Sequence, residues 1–156
     1  MNQTAVSSPP SAPAVAPPLL FVLLDAAHRL DARVEADLAK IGLSPGKAQV
    51  LEALAGSSRP MPLSEIALCN RCVRSNITQL VDRLEADGLV RRVNDPGDRR
   101  VRRATLTPDG RSSHRAALRI RAQQDREFVV ALGPDDARAL AGVLGRLMKA
   151  RLFLRT

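Results

Sequence analysis

From residue 18 onward the apolar positions fall into helical stripes. Leu20, Leu23, Leu24, Ala27, Leu30, Val34, Leu38 and Ile41 recur at three- and four-residue steps, which predicts one long helix over 18–41. Gly42 can end it, Ser44 caps a second helix, and Pro45 takes that helix's first position. The second stripe is Ala48, Leu51 and Leu54, closed by Gly56. Two prolines bracket Met61 and leave room for only a short extended piece. Ser64 starts a short third helix with Ile66 and Ala67 on its apolar side and Leu68 as a further candidate. Residues 69–73 interrupt it. A fourth helix is expected over 74–87, with Ile77, Leu80, Val81 and Leu84 on one face and Gly88 as its stop.

The periodicity then changes. Val90 and Val93 flank Arg91 and Arg92, and Ala104 and Leu106 alternate with Arg103 and Thr105. Asn94-Asp95-Pro96-Gly97 between them is turn chemistry, so the segment reads as a two-stranded hairpin with a long basic tip. Thr107 and Pro108 open a long helix to Leu132, and Gly133-Pro134 opens a last one to Leu154. The stripe of this last helix is Leu140, Val143, Leu144, Leu147 and Leu152. Residues 1–17, rich in Pro, Ala and Ser and without charge, show no apolar face and are expected to be a disordered tail.

The predicted fold is mainly α with a small β-hairpin wing. A winged helix-turn-helix module over 44–106 is flanked by a helix at 18–43 and helices at 107–156. These flanking helices carry more apolar surface than the small module can cover, which predicts a homodimer.

Composition narrows the partners. A chain of 156 residues is about one domain. The net charge of +8 favours a polyanion. Three Phe and no Trp or Tyr argue against stacking on single-stranded bases, whereas double-stranded DNA is held through phosphates and groove edges. No apolar run approaches the ~18 residues of a membrane span. The run Leu19 to Leu24 lacks a preceding basic residue and is broken by Asp25, so it does not read as a signal peptide. A cytoplasmic protein that does not engage membranes is expected.

The polar face of the fourth helix carries Arg74, Ser75, Asn76, Thr78, Gln79 and Arg83. These residue types pair with base edges in the major groove, and they gather at the helix N-terminus that a recognition helix inserts. The hairpin adds Arg91, Arg92, Arg99, Arg100, Arg102 and Arg103 against Asp95 and Asp98, a finger suited to phosphates or the minor groove. The stretches "LSEIAL", "RSNITQLVDRLEADGLVRR" and "DPGDRRVRRATLTPDG" resemble the MarR family of bacterial transcription regulators. The resemblance covers residues 18–156 and is strongest over 63–110. It implies a winged helix-turn-helix homodimer whose subunits each read half of a pseudo-palindromic operator. It also implies that Asp98 orients Arg100 into the minor groove, that Leu106-Thr107 and Gly110 close the wing, and that a small-molecule effector binds between dimer helices and DNA module. With so few aromatics, a mostly aliphatic pocket is expected. The chain departs from the family in the turn, where Arg71 replaces the usual Gly and Val73 the usual Ser cap.

Cys69 and Cys72 are the only cysteines, three apart. One reading packs both as small buried residues. A second makes them a redox switch, because Arg71 and Arg74 could lower a thiol pKa. Zinc wants four ligands, and His28 and His114 are remote from the pair, so no metal is expected. A thiol–disulfide oxidoreductase needs a βαβ context that the pattern lacks. The two histidines read as surface or interface residues. The carboxylates of "DAAHRLDARVEAD" and "RLEAD" read as surface ion pairs with their own helices' arginines. No catalytic residues and no cofactor are expected. The sequence thus points to a ligand-responsive repressor of the MarR type, with a thiol-based redox regulator switched by Cys69 and Cys72 as the alternative.

Overall fold

The computed structural model describes residues 18–69, 74–95, 97 and 102–150, with positions 74 and 75 described in backbone only. The expected tail at 1–17, the turn at 70–73 with Cys72, the wing tip at 98–101 and the end at 151–156, with Leu152 and Leu154, lie outside them. Among the described residues are six helices: α1 (Leu19–Ala39), α2 (Pro45–Ala55), α3 (Leu63–Cys69), α4 (Arg74–Ala86), α5 (Pro108–Leu132) and α6 (Pro134–Lys149). Three strands accompany them: β1 (Met61–Pro62), β2 (Val90–Asn94) and β3 (Arg102–Leu106). The fold is the mainly helical one expected, with a wing sheet.

Two compact units divide the chain at residue 32. In the first, an Asp25–Arg29 ion pair of 2.9 Å spans one helical turn, and Leu19, Leu20, Phe21, Val22 and Leu24 are exposed. The second unit, from Arg33 on, contains the core and the winged module.

The sheet corrects the two-stranded expectation. All three strands are antiparallel in the order β1-β3-β2, so β3 is central. Val90 faces Leu106 and Arg92 faces Ala104 across β2 and β3, while Met61 and Pro62 of β1 face Ala104 and Arg103. The bracketing prolines limit β1 to two residues but do not prevent pairing, because an edge position tolerates proline.

Local chemistry sets the helix ends. Ser44 Oγ accepts the Lys47 amide at 3.3 Å with Pro45 in the first turn of α2. Thr107 Oγ1 accepts the Gly110 amide at 3.0 Å with Pro108 opening α5. Gly88 ends α4 at φ +73°, and the Leu89 amide reaches back to the Leu84 carbonyl at 2.9 Å. That six-to-one bond closes the last carbonyls of the helix and needs a left-handed residue, which Gly supplies cheaply.

The core lies where α2, α3, α4 and the sheet meet. Val50, Leu51, Ile66, Ile77, Val81, Leu84 and Val90 are fully enclosed. Burying each side chain contributes roughly 1.5–3 kcal/mol. Of the expected stripes of α2 and α4, Leu51, Leu54, Ile77, Val81 and Leu84 are buried, with Val50 added, while Ala48 and Leu80 are half-buried against the core. In α3, Ile66 and Ala67 are buried as expected, but Leu68 is 80% exposed. Helix α6 has no buried residue; Val143 and Met148 are exposed and Leu140, Leu144 and Leu147 only half-buried.

Candidate nucleic-acid interface

Helix α4 is divided lengthwise. Ile77, Val81 and Leu84 are buried to 0% exposure and fix its inward face. Asn76, Thr78, Gln79, Asp82 and Arg83 are exposed. Asn76, Gln79 and Arg83 follow at i, i+3 and i+7, so they form one solvent-facing row. The backbones of Arg74 and Ser75 belong to the first turn of the same helix. Six of the expected groove-reading positions therefore sit on one helix, three of them in an aligned row.

Behind that helix the sheet is tied down by arginine. Period-two alternation turns Arg92 to the same side of β2 as Val90, towards α4. Its backbone amide donates to Glu85 Oε1 at 2.9 Å, and its Nη1 lies 2.5 Å from Asp82 Oδ1 and 3.3 Å from Glu85 Oε2. Of the two carboxylates of "RLEAD", Glu85 thus serves β2 and Asp87 pairs with Lys47 of α2 at 2.6 Å, which corrects their reading as pairs within one helix. Arg103 Nε donates to Asp95, and its Nη1 donates to the Pro60 carbonyl at 3.1 Å. Arg92 and Arg103 are consequently occupied inside the protein, although the sequence placed them in the basic finger with the others.

Arg102 is exposed on β3 and donates to Asn94 Oδ1 at 2.7 Å. Arg91 is exposed on β2. Asp98, Arg99 and Arg100, the expected wing-tip residues, lie outside the described residues.

Cys69 ends α3 as expected, but its thiol is free and exposed, which corrects its reading as a buried residue. Ile66 and Ala67 centre the inward face of α3, and at roughly 100° per residue Cys69 falls about 110° away from that centre. His28 is exposed, and His114 is half-buried with a buried Nε2 lacking a hydrogen-bond partner. Among the described residues no three His, Cys, Asp or Glu side chains converge as a metal site would require, and no helix is long and apolar enough to cross a membrane.

Away from α4, a cavity of about 290 Å³ is bounded by Asp37, Lys40, Ile41, Ile120, Gln123, Gln124 and Glu127. Another, of about 760 Å³, lies between α2, the segment before β1, and α3, with Gln49, Glu52, Arg59, Glu65 and Cys69 on its walls. Both combine charged and amide side chains with apolar ones such as Ile41 and Ile120 in the smaller and Ala53 and Met61 in the larger. Lys40, and then Gln124, hydrogen-bond the Asp37 carboxylate and hold its pKa below the ordinary value. Arg33 pairs with Glu127, and Glu52 with Arg121 at 3.1 Å, so α5 is linked by charge to both α1 and α2.

Known proteins share this arrangement. A family model described as MarR family matches residues 41–101. The transcriptional regulator HosA of Escherichia coli O111:H- is 30% identical over 90 residues, 56% of this chain and 67% of HosA. The chain belongs to the MarR family. It is, with that family, a DNA-binding transcriptional regulator and not an enzyme. Among solved structures, the MarR-like fold recurs in the transcriptional repressor CouR, bound to a 23-mer DNA duplex. CouR is 28% identical, with a TM-score of 0.73 over 83% of this chain and 91% of CouR. BpsR of Bordetella bronchiseptica, 24% identical, has the same fold at a TM-score of 0.71 over 86% of this chain and 95% of BpsR. The BpsR structure concerns regulation of its DNA binding by 6-hydroxynicotinic acid.

Proposed function

We propose that this MarR-family protein is a homodimeric repressor of a pseudo-palindromic operator, released by a small-molecule effector. The observation that carries the reading is the exposed row Asn76, Gln79 and Arg83 on a helix whose opposite face is fully buried. Such a helix presents side-chain amides and a guanidinium to base edges while its register is fixed by the core. Arg74, Ser75, Asn76, Thr78, Gln79 and Arg83 read the major groove. Asp98 and Arg100 work in the minor groove, and Arg99 and Arg102 hold phosphates. The module is residues 44–106; residues 18–43 and 107–156 join the two subunits. Support for the dimer comes from α5 and α6, on which Phe128, Val129, Val130, Val143 and Met148 are each exposed in the single subunit. Repression in CouR, and effector control in BpsR, are the precedents for the finer role. Such a protein works on chromosomal DNA in the cytoplasm.

A second reading keeps the fold and changes the input. Cys69 is a free, exposed thiol at the end of α3, open to oxidation beside the reading head, with Cys72 as its partner. One experiment addresses both readings: fluorescence anisotropy with labelled DNA from the protein's own upstream region, reduced and after mild peroxide, against an unrelated duplex. Preference for the upstream duplex is expected. Preference that vanishes on oxidation and returns with reductant selects the thiol switch. Equal affinity for both duplexes would refute sequence-specific repression.

A further inference from the structure

We propose that Asp95 and Arg103 are positioning residues for DNA binding, which aim the wing without touching DNA themselves. This rests on the reading that the wing contacts DNA. Arg103 sits on the central strand, opposite Pro62 of β1 and Val93 of β2. Its guanidinium uses both edges of the sheet. Nε donates to Asp95, just beyond the end of β2, and Nη1 donates to the Pro60 carbonyl, just before β1. One planar group therefore ties the strand leaving for the wing tip to the segment entering α3. A rigid fork of donors suits this task, and a lysine ammonium could not reproduce it.

Asp95 passes the constraint onward. Its Oδ2 receives Arg103, while its Oδ1 accepts the Gly97 amide at 2.7 Å, an Asx-type turn at the start of the tip. The direction in which the chain leaves β2 is thus set by a carboxylate that a guanidinium orients. The two side chains are 12% and 24% exposed. A guanidinium already committed to an enclosed carboxylate is a poor phosphate ligand. Arg102 next to it points to the other side of the strand and is exposed.

Charge alone makes the opposite forecast. Asp95 is an acid beside a DNA-facing arginine cluster, so its removal should tighten binding to a polyanion. If it positions the wing, its removal weakens binding to the preferred duplex. The test is anisotropy of the full-length protein on the upstream duplex and on an unrelated duplex. The variants are Asp95→Asn, Arg103→Lys, Arg100→Ala, Arg102→Ala and the double variant Asp95→Asn/Arg100→Ala, each first shown by circular dichroism to be folded at the assay temperature. Asp95→Asn and Arg103→Lys are each expected to weaken binding to the upstream duplex about tenfold or more, the size of losing one good contact. Asp95→Asn should cost little further in the Arg100→Ala background, since the residue acts through the tip; a general loss of stability would add instead. Tighter or unchanged binding by Asp95→Asn and Arg103→Lys, with Arg100→Ala and Arg102→Ala weakened, would overturn the positioning role and leave the wing reading standing. Unchanged binding by Arg100→Ala and Arg102→Ala would overturn the wing reading and this inference with it.

Discussion

Gly110→Ala separates helix propensity from packing, because the two give opposite signs. Gly110 is buried in the first turn of α5. Propensity alone favours Ala over Gly there by roughly 1 kcal/mol. The surroundings forbid it. A Cβ at this position would overlap the Leu89 carbonyl oxygen, stand 2.9 Å from the Leu89 carbonyl carbon and lie 3.3 Å from Leu106 Cδ2. The first two obstacles are backbone, which cannot rotate away as a side chain can.

That same carbonyl is a junction. It accepts the Thr107 amide at 3.1 Å, and Thr107 Oγ1 lies 3.1 Å from it and 2.7 Å from the Gly88 carbonyl. Relieving the overlap means pulling α5 off the lead-in to β2, which opens the Thr107 cap. Overpacking costs roughly 1–3 kcal/mol. Losing the cap adds about 1 kcal/mol. Set against the propensity gain, the net destabilisation is about 1–3 kcal/mol. At roughly 2–4 °C per kcal/mol for a chain of this size, Tm should fall by about 2–12 °C. Thermal melting followed by far-UV circular dichroism on the full chain reads this directly. An unchanged or raised Tm would refute the packing argument and imply that α5 can move away from Leu89 without cost.

Asp37 has its pKa lowered from 3.8 chiefly by Lys40 and then by Gln124, so its contribution to stability is complete above that value and is lost as pH falls through the lower folded pKa. Asp37→Asn should therefore flatten the acid limb of a stability-against-pH curve below about pH 3.8 while changing its shape little near neutrality; an identical acid limb in both proteins would exclude Asp37 as a contributor. Val143 is 50% exposed on the subunit alone, so Val143→Asp should leave the fold intact yet lower the mass found by light scattering at micromolar concentration from dimer to monomer. A variant as dimeric as the parent would place the subunit contact elsewhere.

Helix boundaries were the most legible part of the sequence because dedicated residues mark them. Ser44-Pro45, Thr107-Pro108 and Gly133-Pro134 begin helices where expected, and Gly88 ends α4 in the left-handed conformation it was chosen for. Strand β1 was not legible as a strand, because two residues show no period and the pairing partner lies some forty positions away on β3. Cys69 does not fit the reading as a small buried residue, because the angle it makes with Ile66 and Ala67 turns it outward. The cavities were beyond reach for a similar reason: their walls combine α1 with α5, or α2 with α3, and no local pattern couples those segments.

The arginines make the same point for function. Six of them in the hairpin look equivalent as sequence: Arg91, Arg92, Arg99, Arg100, Arg102 and Arg103. Alternation distinguishes them only once the facing elements are known. Arg92 meets Glu85 and Asp82 because α4 lies against that side of β2, and Arg103 meets Asp95 and Pro60 because β3 is the central strand. A cation paired with a carboxylate releases no counterion from DNA, so these two add rigidity where a charge count would credit them with affinity. The count of six arginines therefore overstates what the hairpin can offer to phosphates, whereas the net charge of +8 already subtracts the paired carboxylates. Two of the six arginines are spent on holding still, and a basic finger held at a fixed angle can favour one groove geometry over another, which a mobile one of equal charge cannot.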